Sequence, residues 1–105
     1  MSEEFSIIKI RVREGLKKKI KIQAAEENIN LQDLIERAVK EFLQFLETNP
    51  GFSLLPTIKG TGELVSYNLR VETLNKLKEV AAFRLVAVRV IFYSAIVFYF
   101  ENKPI

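Results

Sequence analysis

The sequence predicts a mainly helical fold that also contains two β-strands, and two observations predict this fold class. First, a strand followed by two helices occurs twice, in residues 1–48 and in residues 64–105, with a connector at 49–63. Second, each copy is too short to bury a core alone, whereas the whole chain has 105 residues, 49% of them hydrophobic, which suffices for one domain. We therefore expect the two copies to pair within the chain as an intramolecular pseudo-dimer.

The first copy opens with a strand. Residues 6–13 alternate between apolar and polar side chains, which is typical of a strand with one buried face. Gly15 interrupts the alternation, so the strand is expected to end before it. The side chains expected to face the core are Ile8, Ile10 and Val12.

Two helices are expected to follow in this copy. Apolar residues at helical spacing begin at Leu16 and continue to near Asn28. Asn30 is a good N-cap for the second helix, and Asp33 in its first turn suits the helix dipole. The Asn-Pro-Gly sequence at 49–51 predicts the end of that helix. Its apolar stripe consists of Leu31, Leu34, Ile35, Ala38, Val39, Phe42, Leu43 and Leu46.

The connector and the second copy repeat these signals. A second alternating strand begins near Leu64, and a helix is expected to start at Glu72 and Thr73. After a break at 83–85, the last helix, residues 86–100, is apolar nearly all round, which is typical of a buried helix. A hydrophobic patch for another protomer or a partner protein is the alternative explanation. The inward strand residues are Val65, Tyr67, Leu69 and Val71, and the connector residues expected to pack onto the helices are Phe52, Leu54, Leu55 and Ile58.

The composition excludes most enzyme chemistry. The chain has no His and no Cys, which excludes disulfides, thiol nucleophiles and imidazole acid–base catalysis and leaves no zinc-site pattern. We therefore expect no catalytic residues, no metal site and no cofactor. The longest apolar stretch, residues 90–100, is shorter than the roughly 20 residues of a spanning helix, and the N-terminus lacks a signal-peptide pattern. These features predict a cytoplasmic protein.

Positive charge is concentrated in one segment of the chain. The net charge is +3, but residues 9–21 hold seven basic side chains against the single acid Glu14. Such a cluster is a candidate footprint for a polyanion, and a solvated helix face is the alternative explanation. The basic residues are Lys9, Arg11, Arg13, Lys17, Lys18, Lys19 and Lys21.

The first copy resembles the ribbon-helix-helix family, the DNA-binding fold of the methionine and Arc repressors. The resemblance rests on the strand at 8–12, on the helix spacing from Leu16, and on the turn and cap at 28–30. The second copy matches less well, because its turn between helices appears one residue shorter and lacks an Asn, Ser or Gly. Two copies in one chain are similar to the tandem arrangement of TraY-type relaxosome proteins of conjugative plasmids.

The resemblance implies that the two strands pair into a two-stranded antiparallel ribbon. It also implies sequence-specific binding of double-stranded DNA, with the ribbon in the major groove. The protein would then be a nucleoid-associated transcriptional repressor or an accessory protein of plasmid transfer or partition. The residues expected to read base edges are Ile7, Lys9, Arg11, Ser66, Asn68 and Arg70. The residues expected to contact DNA phosphates are Arg13, Lys17, Lys18, Asn30, Leu31, Gln32 and Val86.

Alternatives to this prediction concern pairing and function. The two strands differ in their outward residues, so pairing within one chain predicts a non-palindromic core site. The long connector also permits two chains to pair like copy with like copy, and pseudo-dimers can self-associate on tandem sites. The alternative function is an antitoxin or a protein-interaction module that uses the apolar C-terminal helix.

Overall fold

The computed structural model describes residues 4–55 and 62–102 and shows a mainly helical chain with one two-stranded antiparallel sheet. The coarse fold class expected from the sequence is therefore confirmed. In chain order the elements are β1 (Phe5–Val12), α1 (Leu16–Glu26), α2 (Leu31–Thr48), β2 (Glu63–Arg70), α3 (Val71–Arg84) and α4 (Val88–Val97), and a short π-helical segment, Phe98–Asn102, continues α4.

β1 and β2 form a ribbon by antiparallel pairing within the chain. Phe5 lies opposite Arg70 at one end of the ribbon, and Val12 lies opposite Glu63 at the other. The alternation predicted from the sequence holds on both strands. Val71 is an exception, since the chain turns directly from Arg70 into α3 and Val71 becomes its first residue. The buried inward side chains are Ile8, Ile10, Val12, Val65, Tyr67 and Leu69.

The four helices and the inner face of the ribbon share one core. α1 and α3 each bury a narrow stripe, whereas α2 buries a wide one. In α4 every residue from Ile91 to Val97 is buried, so most of the apolar C-terminal helix lies inside the chain's own core. The stripe of α1 consists of Leu16, Ile20 and Ala24, and that of α3 consists of Thr73, Leu77 and Ala81.

The turns between the paired helices have matching backbone conformations. Asn28 (φ 55°) and Leu85 (φ 59°) are both left-handed, although Leu lacks the short polar side chain that favours this region. Two residues later, Asn30 (φ −76°, ψ 158°) and Ala87 (φ −70°, ψ 150°) are extended and precede the next helix. Equivalent turn residues of the two copies are 57 positions apart both for Asn28 and Leu85 and for Asn30 and Ala87. From the left-handed residue onward the second turn is therefore as long as the first, which corrects the shorter turn expected from the sequence.

The described part of the connector packs onto the helices, as predicted for Phe52, Leu54 and Leu55. The Leu55 amide donates to Ser94 Oγ (2.9 Å), which ties the connector to α4. Ile58 lies outside the described residues. The phenyl ring of Phe52 joins a cluster formed by Phe42, Phe45, Phe52 and Phe98.

A helix that spans a membrane must be both long and apolar. Within residues 4–55 and 62–102, no single helix meets both criteria. The segments Val71–Arg84 and Val88–Glu101 meet them only together, as a pair bent by 108°.

Candidate nucleic-acid interface

The outer face of the ribbon is the candidate interface. Period-two alternation places the side chains that do not enter the core on this face, in cross-strand rows set by the register. Two aliphatic side chains on it are well exposed, Ile7 at 62% and Leu64 at 59%. The structure brings together all six predicted base-reading residues on this face. Its rows are Phe5 with Arg70, Ile7 with Asn68, Lys9 with Ser66, and Arg11 with Leu64.

One end of this face carries Lys9 and Arg11. The Lys9 side chain is exposed, whereas Arg11 is half-buried and its Nη1 donates to the carbonyl oxygen of Gly62 (3.4 Å). That long contact leaves the other guanidinium donors of Arg11 available along the ribbon. Two cationic side chains on adjacent rows can therefore donate to acceptors of a molecule that lies against the outer face of the ribbon.

The opposite end of the face is fixed by a buried carboxylate. Glu36 of α2 is 3% exposed, and its two oxygens accept from the Arg70 amide (2.6 Å) and from Thr73 Oγ1 (2.5 Å). These bonds hold the junction where β2 becomes α3. The Arg70 guanidinium itself is half-buried, with Nη2 3.9 Å from Asp33 Oδ1. Glu36 thus positions the backbone of a predicted base-reading residue.

The N-terminus of α2 lies beside the second strand of the ribbon. Asn30 caps the helix, because its Oδ1 accepts from the Asp33 amide (2.8 Å), as the sequence predicted. The amides of Leu31 and Gln32 come before the first intrahelical acceptors and remain available as donors. A cleft of about 340 Å³ separates this helix start from the ribbon. Its lining residues are Asn30, Leu31, Gln32, Ser66, Tyr67 and Asn68.

The start of α4 corrects one predicted phosphate contact. Val86 was expected to match the start of α2, but its amide donates to the Ala81 carbonyl (3.0 Å) and is not available to a phosphate. The helix begins two residues later, with Ala87 as the N-cap and Val88 as the first helical residue. Arg89 follows in the first turn and is exposed. The sequence prediction missed Arg89 because it placed the helix start too early.

The remaining predicted phosphate contacts lie at the start of α1 and just before it. Arg13 forms an ion pair with Glu101 of the π-helical segment, and its side chain is 56% exposed. Lys17 is half-buried and Lys18 is exposed, both in the first turn of α1. Gly15, which precedes the helix with φ 92°, donates its amide to a carboxylate oxygen of Glu63 (3.3 Å). The basic segment therefore borders the Arg11 end of the ribbon.

The surroundings of two tyrosine hydroxyls near the core raise their pKa values. Burial, with a smaller contribution from the charge of Glu63, raises the pKa of Tyr67 to about 12. Burial also raises the pKa of Tyr93, with the carboxylate of Glu101 acting in the same direction. Both phenols are thus neutral at ordinary pH. Among the described residues, no group of three or more acidic side chains is arranged to hold a metal ion.

Comparisons with known proteins leave the family open. No protein-family model, curated protein or solved structure matches this chain. The resemblance to ribbon-helix-helix proteins therefore rests on the residue pattern described above.

Proposed function

We propose that this protein binds double-stranded DNA sequence-specifically, with the outer face of the ribbon in the major groove. One observation carries the proposal: Ile7, Lys9, Arg11, Ser66, Asn68 and Arg70 all lie on one face of an antiparallel ribbon. A major groove about 12 Å wide admits a two-stranded ribbon. The inner face of the same ribbon is buried, so only this face is available to a partner.

The outward side chains suit the chemistry of base edges. Arg11 and Lys9 can donate to O6 and N7 of guanine, and Asn68 can both donate to and accept from adenine. Ile7 offers an apolar contact to a thymine methyl group.

The surroundings of the ribbon suit the DNA backbone. The available amides at the start of α2 can donate to an anion, and the helix dipole favours negative charge there. The cleft between that helix start and Ser66 lies directly beside the ribbon. At the start of α4, Arg89 adds a positive charge to the equivalent helix end. Phosphate contacts of this kind fix the orientation of a protein on the duplex.

The finer architecture belongs to the same proposal. We infer a tandem ribbon-helix-helix pseudo-dimer, supported by the pairing of β1 with β2 and by the matched turns at Asn28 and Leu85. In this arrangement each copy supplies one strand and two helices. The biological use would be repression of transcription or an accessory role in plasmid transfer or partition, in a nucleoid-associated cytoplasmic protein.

The test is selection of bound sequences from random double-stranded DNA, followed by titration at several salt concentrations. The double variant Lys9→Ala/Arg11→Ala removes two predicted base contacts. Its matched control, Lys19→Ala/Lys21→Ala, removes the same charge from exposed positions on α1. We expect the wild type to enrich a discrete motif, the ribbon variant to lose it, and the control to keep it with weaker binding overall.

Each base contact is worth about 1–3 kcal/mol of discrimination, so the ribbon variant should bind the selected site at least about 30-fold more weakly. Binding without a motif, weakened equally by both double variants, would indicate non-specific attachment through the basic segment. Absence of binding near physiological salt would overturn the proposal.

A second candidate function is a protein-interaction module, and one observation favours it. Phe83 is 89% exposed and Leu85 is 91% exposed at the end of α3. Phe83 borders a groove of about 570 Å³ between α2 and α3, whose apolar lining includes Leu43, Leu46 and Val80. An antitoxin or self-association role would use this end of the molecule rather than the buried α4. A monomer by light scattering, alone and with DNA, would contradict self-association.

A further inference from the structure

The two halves of the outer ribbon face carry different recognition residues. The row of Lys9 with Ser66 lies between two other rows of the face and is called the central row here. On one side lies the row of Ile7 with Asn68, and on the other lies the row of Arg11 with Leu64. Each flanking row therefore pairs one aliphatic side chain with one side chain that can read a base.

The constant spacing between the copies makes these two rows equivalent. The offset of 57 positions that relates Asn28 to Leu85 also relates Ile7 to Leu64 and Arg11 to Asn68. An approximate two-fold axis through the central row thus exchanges the flanking rows. Both flanking rows contain one aliphatic side chain, whereas the polar side chain is Asn68 in one row and Arg11 in the other.

We propose that the chain reads a directional, non-palindromic DNA site with an adenine in one half, read by Asn68, and a guanine in the other, read by Arg11. The inference rests on the proposed function and names the class of sequence that the ribbon takes. Asn recognises adenine through its N6 and N7 atoms, and Arg recognises guanine through O6 and N7. Ile7 and Leu64 meet a thymine methyl group in either half.

The strand geometry sets the distance between the two bases. A strand rises about 3.4 Å per residue, so the flanking rows, at 7 and 11 on β1, lie about 14 Å apart. Stacked base pairs are about 3.4 Å apart along the duplex axis, so the adenine and the guanine lie within about four base pairs of each other. The two-fold relation between the rows puts the two bases on opposite strands of the duplex.

Both reading residues are placed for this role by their surroundings. Asn68 is exposed and lines the cleft at the start of α2. A DNA phosphate bound at that helix start would therefore bring a base pair close to the Asn68 side chain. Arg11 is half-buried and is held along the ribbon by its bond to the Gly62 carbonyl. Neither side chain contributes to the buried core, so both can be exchanged with little effect on folding.

The test exchanges the two reading residues and repeats the selection from random DNA. In Asn68→Arg both flanking rows carry Arg with an aliphatic side chain, and in Arg11→Asn both carry Asn. We expect the wild type to select a motif with adenine at one flanking position and guanine at the other, Asn68→Arg to select guanine at both, and Arg11→Asn to select adenine at both. Each variant should bind the wild-type site about 10- to 100-fold more weakly.

The matched control is Asn75→Arg, which adds the same charge at an exposed position of α3 and should leave the selected motif unchanged. Melting curves establish that each variant is folded. A palindromic wild-type motif would overturn the inference while leaving DNA binding intact. A non-palindromic motif whose adenine position does not respond to Asn68→Arg would overturn the assignment of Asn68. Absence of any motif for the wild type would instead overturn the proposed function.

Discussion

Replacing the buried carboxylate of Glu36 tests how the end of the ribbon is held. The side chain is 3% exposed and accepts two hydrogen bonds, from the Arg70 amide at 2.6 Å and from Thr73 Oγ1 at 2.5 Å. Hydrogen bonds to a charged group contribute about 1.5–3 kcal/mol each, and Ala at this position leaves both donors without that acceptor. We therefore expect Glu36→Ala to lower the free energy of unfolding by about 3–5 kcal/mol.

The conservative variant separates charge from geometry. Gln at position 36 can still accept from the Arg70 amide and donate to the Thr73 hydroxyl, because a hydroxyl both donates and accepts. Only the contribution of the negative charge to these hydrogen bonds is lost, so Glu36→Gln should lower the free energy of unfolding by about 1–2 kcal/mol. Glu26→Gln, at an exposed position of α1, is the control and should stay within about 0.5 kcal/mol of the wild type.

The assay is urea denaturation monitored by circular dichroism, with the slope of the transition held in common among variants. A double-mutant cycle with Thr73→Val should give a coupling energy of at least about 0.5 kcal/mol, because the two side chains share one bond. If Glu36→Ala costs no more than the Glu26→Gln control, the reasoning about the β2–α3 junction is refuted.

Three further predictions concern the core, a turn and the pH response. Leu77→Ala empties a fully buried site of α3 and should cost about 2–5 kcal/mol in the same denaturation assay. Leu85→Gly relieves a left-handed backbone and should stabilise the fold by about 0.5–1 kcal/mol, whereas Ala82→Gly within α3 should destabilise it by about 1 kcal/mol. Because burial raises the pKa of Tyr67 from 10.0 to about 12, its stabilising contribution is complete below pH 10 and is lost as pH rises toward 12. Denaturation midpoints across that range should fall more steeply for the wild type than for Tyr67→Phe.

Each of these results has a clear contrary outcome. A Leu77→Ala variant as stable as the wild type would contradict the packing of α3 on the core. Equal destabilisation by Gly at 82 and at 85 would contradict the left-handed turn. Parallel pH curves for wild type and Tyr67→Phe would show that the phenol titrates alike in the folded and unfolded chains.

The ribbon and the first two helices could be predicted because each carries a local signal. Alternation by two assigned both faces of β1, and the cap at Asn30 marked the start of α2 within the sequence itself. The alternation also assigned the outward side chains, whose role as candidate base readers is implied by the resemblance to ribbon-helix-helix proteins. Side chains alternate between the two faces of a strand, so the alternation in the sequence predicts which of these residues share a face.

The features that the sequence did not indicate depend on contacts between distant segments. Glu36 has the character of a surface residue of a helix, and only the arrival of Thr73 and the Arg70 amide from the second copy makes it a buried acceptor. Leu85 gives no sign of a left-handed turn, so α4 was expected to start at Val86. That shift hid Arg89, whose position in the first turn of α4 depends on the true start of the helix.

The pairing of β1 with β2 within one chain has a consequence for how occupancy depends on concentration. A ribbon assembled from two separate chains is lost on dilution, because its halves must first find each other. Here the connector keeps the partner strand at a fixed effective concentration, so dilution does not separate the two halves. Under the proposed function, occupancy of a DNA site by a single ribbon would then vary with the first power of protein concentration.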